Sequence, residues 1–330
     1  MTFEFATADR IVFGEGAVRQ AVPAAAGWGT RVLLVTGGSG ERAAPLHKAL
    51  EASALAVLPF RVAGEPTIEQ IRKGSEFARD ERCEVVIAIG GGSAIDAGKA
   101  LAALLTNAGE PLDYLEVVGR GAPLAHPSAP FIAIPTTAGT GSEVTRNAVL
   151  ASPEGRVKAS LRSPHMLPRL AIVDPELTLG APRALTASTG LDALTQLIEP
   201  YVSPRANAMT DVFCAEGIRR AAAALPRAWE NGGDREARRD MAWASLLGGL
   251  ALANAGLGAV HGFAAPIGGR FPAPHGAACA AVLPHAMEIN VEAPRRRAPD
   301  SPALRRYAEI GRLATGKPQA EAEDAVRWAA

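Results

Sequence analysis

The stretch Val85–Ala100, VVIAIGGGSAIDAGKA, joins a short apolar run to three glycines, a serine and a helical pattern. This order predicts a buried strand that turns directly into a helix. Such a turn presents backbone N–H groups at the helix N-terminus, where the helix dipole favours an anion. The stretch is not the G-x-G-x-x-G fingerprint of dinucleotide-binding folds. A tight turn without a ligand is the alternative, but three glycines and a serine favour a phosphate site.

Similar apolar runs occur on both sides of this stretch and are separated by helical patterns. They are RVLLVTGG from Arg31, LAVLPFRV from Leu55 and PFIAIPTTAGTGSE from Pro130. Strands that are apolar throughout and alternate with helices form a parallel sheet covered on both faces. After about Pro182 the strand pattern fades and the remaining stretches are helical. We therefore predict an α/β domain over residues 1–182 and an all-helical domain over residues 183–330.

The composition excludes some classes of function. The 330 residues contain 34 Lys and Arg against 34 Asp and Glu, so the net charge is zero. A nucleic-acid-binding protein normally shows a basic surface, so we expect no nucleic-acid partner. Cys83, Cys214 and Cys279 are too widely spaced for a disulfide framework or a zinc motif, and they indicate a reducing cytoplasm.

Two segments bear on membrane association. The N-terminus has early acidic residues and no long apolar core, so it is not a signal peptide. Residues Ala242–Gly269 contain no Asp, Glu, Lys or Arg, and this length would suit a membrane span. Because the segment is rich in Gly and Ala and contains Pro266, we favour a helix buried in the protein core, with a membrane span as the less favoured alternative.

Polar residues in the helical half predict a metal site. Asp192 and Gln196 are four residues apart in a helical pattern and therefore share one helix face. We expect His261 to end an uncharged helix and His275 to begin the next, so both could converge with Asp192 on one ion. Imidazole and carboxylate ligands suit Fe(II) or Zn(II). A structural role is the alternative for any single histidine, and we assign it to His285.

The segment PTTAGTGSEVT, Pro135–Thr145, predicts a second ligand-binding loop. It follows a strand, and its hydroxyl groups could bind the phosphate, ribose or amide of a cofactor. The alternative is a polar loop held by its own Ser and Thr side chains. Because open α/β sheets bind ligands at the carboxyl ends of their strands, this loop and the glycine triplet support each other.

Taken in order, five motifs resemble landmarks of the iron-containing (group III) alcohol dehydrogenases, a family related to maleylacetate reductases and glycerol dehydrogenases. The motifs are GGGSAIDAGKA, PTTAGTGSEVT, AIVDPELT, GLDALTQLIEPYVS and HGFAAPIGGRFPAPHG. The resemblance covers nearly the whole chain. It implies an N-terminal dinucleotide domain, a C-terminal helical domain and catalysis in the cleft between them. It also implies NAD(P)-dependent interconversion of an alcohol with an aldehyde or ketone.

The resemblance assigns roles residue by residue. Asp192, His261 and His275 match three of the family's four metal ligands, and we expect His261 and Asp192 to be catalytic. The expected cofactor-binding residues are Gly37, Gly38, Ser39, Gly90, Gly91, Gly92, Ser93, Asp96, Thr136, Thr137, Thr140 and Ser142. The apolar strand that begins at Arg31 ends in Thr36–Ser39, which contains no acidic residue that would repel a 2′-phosphate. We therefore expect a slight preference for NADP(H).

This sequence departs from the family pattern at three places. Gln196 replaces the fourth metal-binding histidine, and a Gln oxygen is the weaker ligand, so we expect incomplete metal occupancy. Ala265 replaces a histidine to which the family assigns proton handling. Relatives usually continue with further helices after the point where this sequence stops. Two interpretations of that end stay open: the last helices are absent, or the sequence is truncated.

Three hypotheses follow for the function. The leading hypothesis is a metal-assisted NAD(P)-dependent alcohol dehydrogenase or carbonyl reductase that acts on a small molecule and forms a homodimer. The second keeps the reaction but omits the metal, as in some maleylacetate reductases. The third is a cofactor-binding protein with weak catalysis. A lyase resembling dehydroquinate synthase is more distant, because the segments quoted above lack the many Lys and Arg that a phosphorylated substrate would need.

Overall fold

The computed structural model describes residues 2–38, 40–152, 155–271 and 273–330. The strands are β1 (Ile11–Phe13), β2 (Arg31–Gly37), β3 (Ala56–Val62), β4 (Val85–Gly90), β5 (Phe131–Pro135), β6 (Asn147–Ser152), β7 (Val157–Arg162) and β8 (Leu170–Val173). The first five α-helices are α1 (Ala21–Ala26), α2 (Ala44–Ala52), α3 (Ile68–Asp80), α4 (Gly92–Thr106) and α5 (Pro111–Tyr114). The others are α6 (Arg183–Tyr201), α7 (Ala208–Glu230), α8 (Arg235–Ala255), α9 (Ala259–Arg270), α10 (His275–Arg297), α11 (Pro302–Thr315) and α12 (Ala322–Ala329).

Six strands form one parallel sheet in the order β1-β8-β5-β4-β2-β3. From Arg183 onward, every regular element that the structure describes is helical. The predicted fold class, a parallel α/β sheet followed by an all-α region, is confirmed. The sheet order makes β5, β4 and β2 neighbours, so their carboxyl ends lie side by side.

Two apolar cores cover the two faces of this sheet. Successive strand residues point to opposite faces, and the cores follow that alternation: Leu33 and Val35 belong to one, Val32 and Leu34 to the other. Helices α3 and α4 contribute to the first core, and α1 and α2 to the second. Continuous apolar strands are therefore required, because both faces of the sheet are buried.

The antiparallel hairpin of β6 and β7 was not predicted from the sequence. Its apolar side chains join the core on the α3–α4 face of the sheet. Two charged residues of α4 hold its first strand: the Asp96 carboxylate accepts the Val149 N–H, and the Lys99 ammonium donates to the Asn147 carbonyl. The hairpin therefore depends on contacts with residues about 50 positions earlier in the sequence.

In the helical half, α6 packs against α7, α8 and α10. Glycines permit the close contacts between these helices. A Cβ atom at Gly190 would meet the Leu225 side chain, and one at Gly276 would overlap the carbonyl group of Ser188. The start of α10 is therefore pressed directly against the backbone of α6.

The segment Ala242–Gly269 is not one helix, which corrects the sequence prediction. Helix α8 ends at Ala255, Gly256 follows with φ of +73°, and α9 begins at Ala259. The helices meet at an angle of 101°, and Pro266 lies inside α9 rather than at the break. Among the described residues, no single helix has the length and apolarity to cross a membrane; by those two criteria alone, the bent pair α8–α9 would qualify.

The chain divides into two compact units. One contains the N-terminal residues to Ala6, together with Ala138–Gly141 and Leu179–Ala330. The other contains Thr7–Thr137 and Ser142–Thr178. The division into domains at residues 182 and 183 stays a prediction.

Candidate functional site

Helix α6 carries three polar residues on one buried face. Asp192, Gln196 and Glu199 are spaced at i, i+4 and i+7, which brings their side chains to the same side of a helix. Their exposed fractions are 2%, 4% and 6%, respectively. Burying two carboxylates and an amide is costly unless they have partners. The partners of the two carboxylates lie on α9 and α10.

His261 lies in the first turn of α9, so the prediction that it ends a helix was wrong. The break at Gly256–Gly258 accounts for the difference, because it starts a new helix just before the histidine. Glu199 holds this turn at two points. Its Oε1 accepts the Val260 N–H at 2.7 Å, and its Oε2 lies 2.6 Å from His261 Nδ1. The imidazole therefore directs Nε2 towards Asp192, whose Oδ1 is 3.3 Å away.

His275 is the first residue of α10, as predicted. Its Nε2 lies 3.7 Å from Asp192 Oδ1. One turn later, Cys279 places its Sγ 3.8 Å from His275 Nε2 and 3.9 Å from His261 Nε2. Cys279 was not predicted to belong to this site, although its i+4 spacing from His275 is a signal in the sequence that points to it. Glu199 was missed in the same way, at i+7 from Asp192.

The structure thus gathers four potential metal ligands, here called the ligand cluster: Asp192, His261, His275 and Cys279. One ligand atom from each lies within 4.8 Å of all the others. The predicted ligand Gln196 is also buried, and its Oε1 has no hydrogen-bond partner among the residues that the structure describes. His285 is exposed farther along α10.

The electrostatics of the ligand cluster favour positive charge. Burial opposes protonation of His261, but Asp192, Cys279 and Glu199 outweigh it and raise its pKa to about 12. The hydrogen bond that His275 donates to the Cys279 sulfur likewise raises the pKa of His275. Burial would raise the pKa of the Cys279 thiol, but the two imidazoles reverse this and lower it. The site therefore stabilises a thiolate and a nearby cation, either a bound proton or a metal ion.

The predicted cofactor residues at the sheet edge are also brought together. A Cβ atom at Gly90 would lie 3.2 Å from the Gly37 nitrogen, and one at Gly91 would lie 3.5 Å from Thr137 Oγ1. The Thr136 N–H donates to the Gly90 carbonyl at 2.8 Å. Gly37 ends β2 and Gly38 follows it, Gly92 and Ser93 begin α4, and Thr136 and Thr137 follow β5. The edge carries small residues that let a ligand approach the backbone closely.

Asp96 and Ser142 are already bonded to each other, with Ser142 Oγ donating to Asp96 Oδ1 at 2.5 Å. Lys99, fully buried, donates to Thr145 Oγ1 at 2.8 Å and lies 3.5 Å from Asp96. This network fixes α4 to the residues after β5 and supports the sheet edge from within. Thr140 belongs to the compact unit that contains α6–α12, and Ser39 lies outside the described residues.

Comparison with known proteins identifies the family. The model named "Iron-containing alcohol dehydrogenase" matches residues 8–175, and the model of the C-terminal part of the Fe-containing alcohol dehydrogenase family matches residues 186–329. The chain belongs to the iron-containing alcohol dehydrogenase family. Alcohol dehydrogenase 4 of Schizosaccharomyces pombe is 43% identical over 233 residues, a match covering 71% of this chain and 54% of that relative. The chain therefore matches only about half the length of this relative.

Two solved structures of this family share the architecture. A 1,3-propanediol oxidoreductase superposes with a TM-score of 0.90 at 34% identity, covering 100% of this chain and 85% of its own. The sulfoacetaldehyde reductase of Bifidobacterium kashiwanohense, solved in complex with NAD+, gives a TM-score of 0.86 at 30% identity, covering 100% and 84%. The resemblance inferred from the five motifs is confirmed.

The side chains present fit the divalent metal that the family name implies. The ligand cluster offers oxygen, nitrogen and sulfur donors of the kinds that bind Zn(II) and Fe(II). The buried Oε1 of Gln196, which has no hydrogen-bond partner within the described part of the chain, is an acceptor that a cation would satisfy. Glu199 behind His261 matches the carboxylate–histidine arrangement that orients metal ligands.

Proposed function

We propose that the chain is an NAD(P)-dependent oxidoreductase that interconverts an alcohol with an aldehyde or ketone, assisted by a divalent metal. The observation that carries the proposal is the ligand cluster, present in a member of this family. When bound, the cofactor would supply the hydride, and the metal would polarise the carbonyl oxygen. Asp192, His261 and His275 would hold the metal.

The protein's own groups prepare this site before substrate arrives. Glu199 at His261 Nδ1 orients the ring so that Nε2, once a metal displaces its proton, can act as a ligand. It also anchors the first turn of α9 through Val260. Asp192 supplies the negative charge between the two imidazoles. Ala265 offers no proton, so the proton that completes the alcohol comes from water, from a cofactor ribose or from the substrate.

The sheet edge would bind the dinucleotide, with its pyrophosphate near Gly90–Ser93 at the start of α4. The N–H groups of a helix start favour an anion there. A structural relative solved in complex with NAD+ supports binding of a dinucleotide by this fold, without fixing its position. We also propose that NADP(H) binds slightly better than NAD(H). Thr36–Gly38, at the end of β2, contains no acidic residue. Arg61 of the adjacent strand donates to the Gly38 carbonyl, where its charge could meet a 2′-phosphate.

Two features support a cytoplasmic homodimer. Cys83, Cys214 and Cys279 are all free thiols, which suits a reducing compartment. Leu112, Val117 and Val118 expose apolar side chains close together in sequence and would be covered in a dimer. Sedimentation analysis of purified protein tests the oligomeric state.

A turnover screen tests the function. Small aldehydes and ketones are offered with NADH or NADPH deuterated at the transferable position of the nicotinamide ring, with and without Zn(II) or Fe(II). Deuterium on the product carbon is the expected result, and His275→Ala should abolish the metal-dependent part. If wild type and His275→Ala turn over substrate at the same rate without added metal, that result would favour the metal-independent reductase. Binding of NAD(P)H without deuterium transfer to any carbonyl would favour the weakly catalytic protein.

The cofactor preference has its own measurement. Fluorescence titration should give an NADPH dissociation constant equal to or below that of NADH, and Arg61→Ala should weaken NADPH binding more than NADH binding. A tenfold tighter NADH complex, about 1.4 kcal/mol, would contradict the preference.

A further inference from the structure

We infer that Cys279 supplies the fourth protein ligand of the metal, as a thiolate, in place of the histidine that Gln196 replaces. The inference rests on the proposed function, because it concerns the same ion. It makes the ligand set one carboxylate, two imidazoles and one thiolate. Gln196, which is buried on α6 four residues after Asp192, is then not a necessary ligand.

The distances between the ligand atoms resemble those of a metal site. Zn–N and Zn–O bonds near 2.0–2.1 Å and a Zn–S bond near 2.3 Å place tetrahedral ligands about 3.4 Å apart for N and O pairs and about 3.6 Å apart for S and N pairs. The Asp192 oxygen lies 3.3 Å and 3.7 Å from the two imidazole nitrogens. Cys279 Sγ lies 3.9 Å and 3.8 Å from the same nitrogens. These four of the six separations are within a few tenths of an ångström of a tetrahedral site, and the other two are within 4.8 Å. A carbonyl oxygen would join such a site as a fifth ligand.

The surrounding structure holds the ligands of the cluster in position. His261 is oriented by Glu199, and Asp192 lies on the buried face of α6. Cys279 is fully buried on α10, one turn after His275, so the same rigid helix positions both ligands. A short cysteine side chain on a packed helix has only one rotatable bond to fix, which favours preorganised binding.

The surroundings of the Cys279 thiol also suit a metal ligand. A buried thiol in an ordinary apolar core needs no polar partner, yet Cys279 faces two imidazole nitrogens and belongs to a cluster with a carboxylate. Soft thiolate ligands favour Zn(II), whereas carboxylate and imidazole ligands alone also suit Fe(II). The chain should therefore prefer zinc over iron more strongly than an otherwise equal site without sulfur.

Cobalt(II) titration of metal-free, reduced full-length protein tests the inference. Cobalt bound to a thiolate absorbs in the near ultraviolet through charge transfer from sulfur. Wild-type protein should develop this absorption up to one equivalent, and Cys279→Ser should lose it. Cys83→Ser is the matched control and should keep it, as should Gln196→Ala. Cobalt binding by wild type without this absorption, detected by calorimetry, would overturn the inference.

Zinc affinity provides a second readout that needs no turnover. Competition with a chromophoric chelator should show at least about tenfold weaker zinc binding by Cys279→Ser, because even groups behind metal ligands contribute that much. The zinc-to-iron affinity ratio should fall in the same variant. Unchanged zinc affinity would overturn the inference, whether or not the protein folds less stably. Deuterium transfer in the turnover screen without cobalt–thiolate absorption would refute the role of Cys279 and leave the proposed function standing.

Discussion

Adding one methyl group at Gly276 should disrupt the ligand cluster from outside it. Gly276 follows His275 at the start of α10, and a Cβ atom there would lie 2.6 Å from the carbonyl carbon of Ser188 and closer still to its oxygen. No side-chain rotation can relieve an overlap with backbone. To restore van der Waals contact, the start of α10 must move away from α6 by about 1 Å. That movement carries His275 and Cys279 away from Asp192.

Two opposing effects determine how Gly276→Ala changes the free energy of unfolding. Replacing a helical glycine by alanine stabilises a helix by roughly 0.5–1 kcal/mol, whereas overpacking a well-packed contact costs about 1–3 kcal/mol. We expect Gly276→Ala to lower the free energy of unfolding by about 1–2 kcal/mol. Gly262→Ala is the matched control, because it adds the same group to a helical glycine beside His261. Apart from its chain neighbours and the backbone of its own helix, no described atom lies within 4 Å of the added Cβ. This variant should be neutral or stabilising.

Guanidinium unfolding followed by circular dichroism measures the difference, with equal m values as evidence that the same surface is exposed. Zinc affinity is measured on the same proteins, and only Gly276→Ala should lose at least about tenfold. Equal stability of the two variants, together with unchanged zinc binding in both, would refute the close contact between α10 and α6 on which the cluster depends.

Three further predictions concern the support of the two sites. Glu199→Gln should weaken zinc binding by about 10–100-fold, because His261 loses its orienting carboxylate; chelator competition would contradict this if the affinity were unchanged. Gly90→Ala should weaken NAD(P)H binding at least about tenfold in fluorescence titration, because its Cβ would meet the Ala94 Cβ at 2.6 Å at the start of α4; unaltered binding would argue against a pyrophosphate there. Burial raises the Glu143 pKa from 4.5 to about 7. Between these values the folded chain holds a proton that the unfolded chain has released, so the contribution of Glu143 to wild-type stability should fall as pH rises through that range. Glu143→Gln removes this pH dependence. Its free energy of unfolding relative to wild type should therefore increase from pH 5 to pH 8, by at most about 1.4 kcal/mol per unit of pKa shift. A difference between the two proteins that stays constant with pH would contradict the prediction.

The parallel sheet could be predicted because its buried strands are continuous apolar runs. Val85–Gly90 and Phe131–Pro135 are buried at every position, so periodicity and glycine punctuation were sufficient. The hairpin of β6 and β7 was missed because its first strand is stabilised by Asp96 and Lys99, residues that are remote in sequence. Local patterns carry no record of such partners.

The candidate site was predicted in part. The carboxylate and imidazole members followed from a resemblance and from helical spacing, but Cys279 and Glu199 emerged only when three helices were placed together. The helix break before His261 was hidden by a segment rich in Gly and Ala, where several glycines could equally have ended a helix. Gly256 is the one that adopts a positive φ, of +73°, and only the packed structure selects it.

The most direct test of metal-assisted carbonyl reduction is the rate of NAD(P)H oxidation as zinc is added back to metal-depleted protein, with an aldehyde or ketone found by the turnover screen. The rate should rise in proportion to added zinc and level off at one equivalent per chain. A rate that is already complete before any zinc is added, and does not change up to several equivalents, would contradict a catalytic metal at Asp192, His261 and His275.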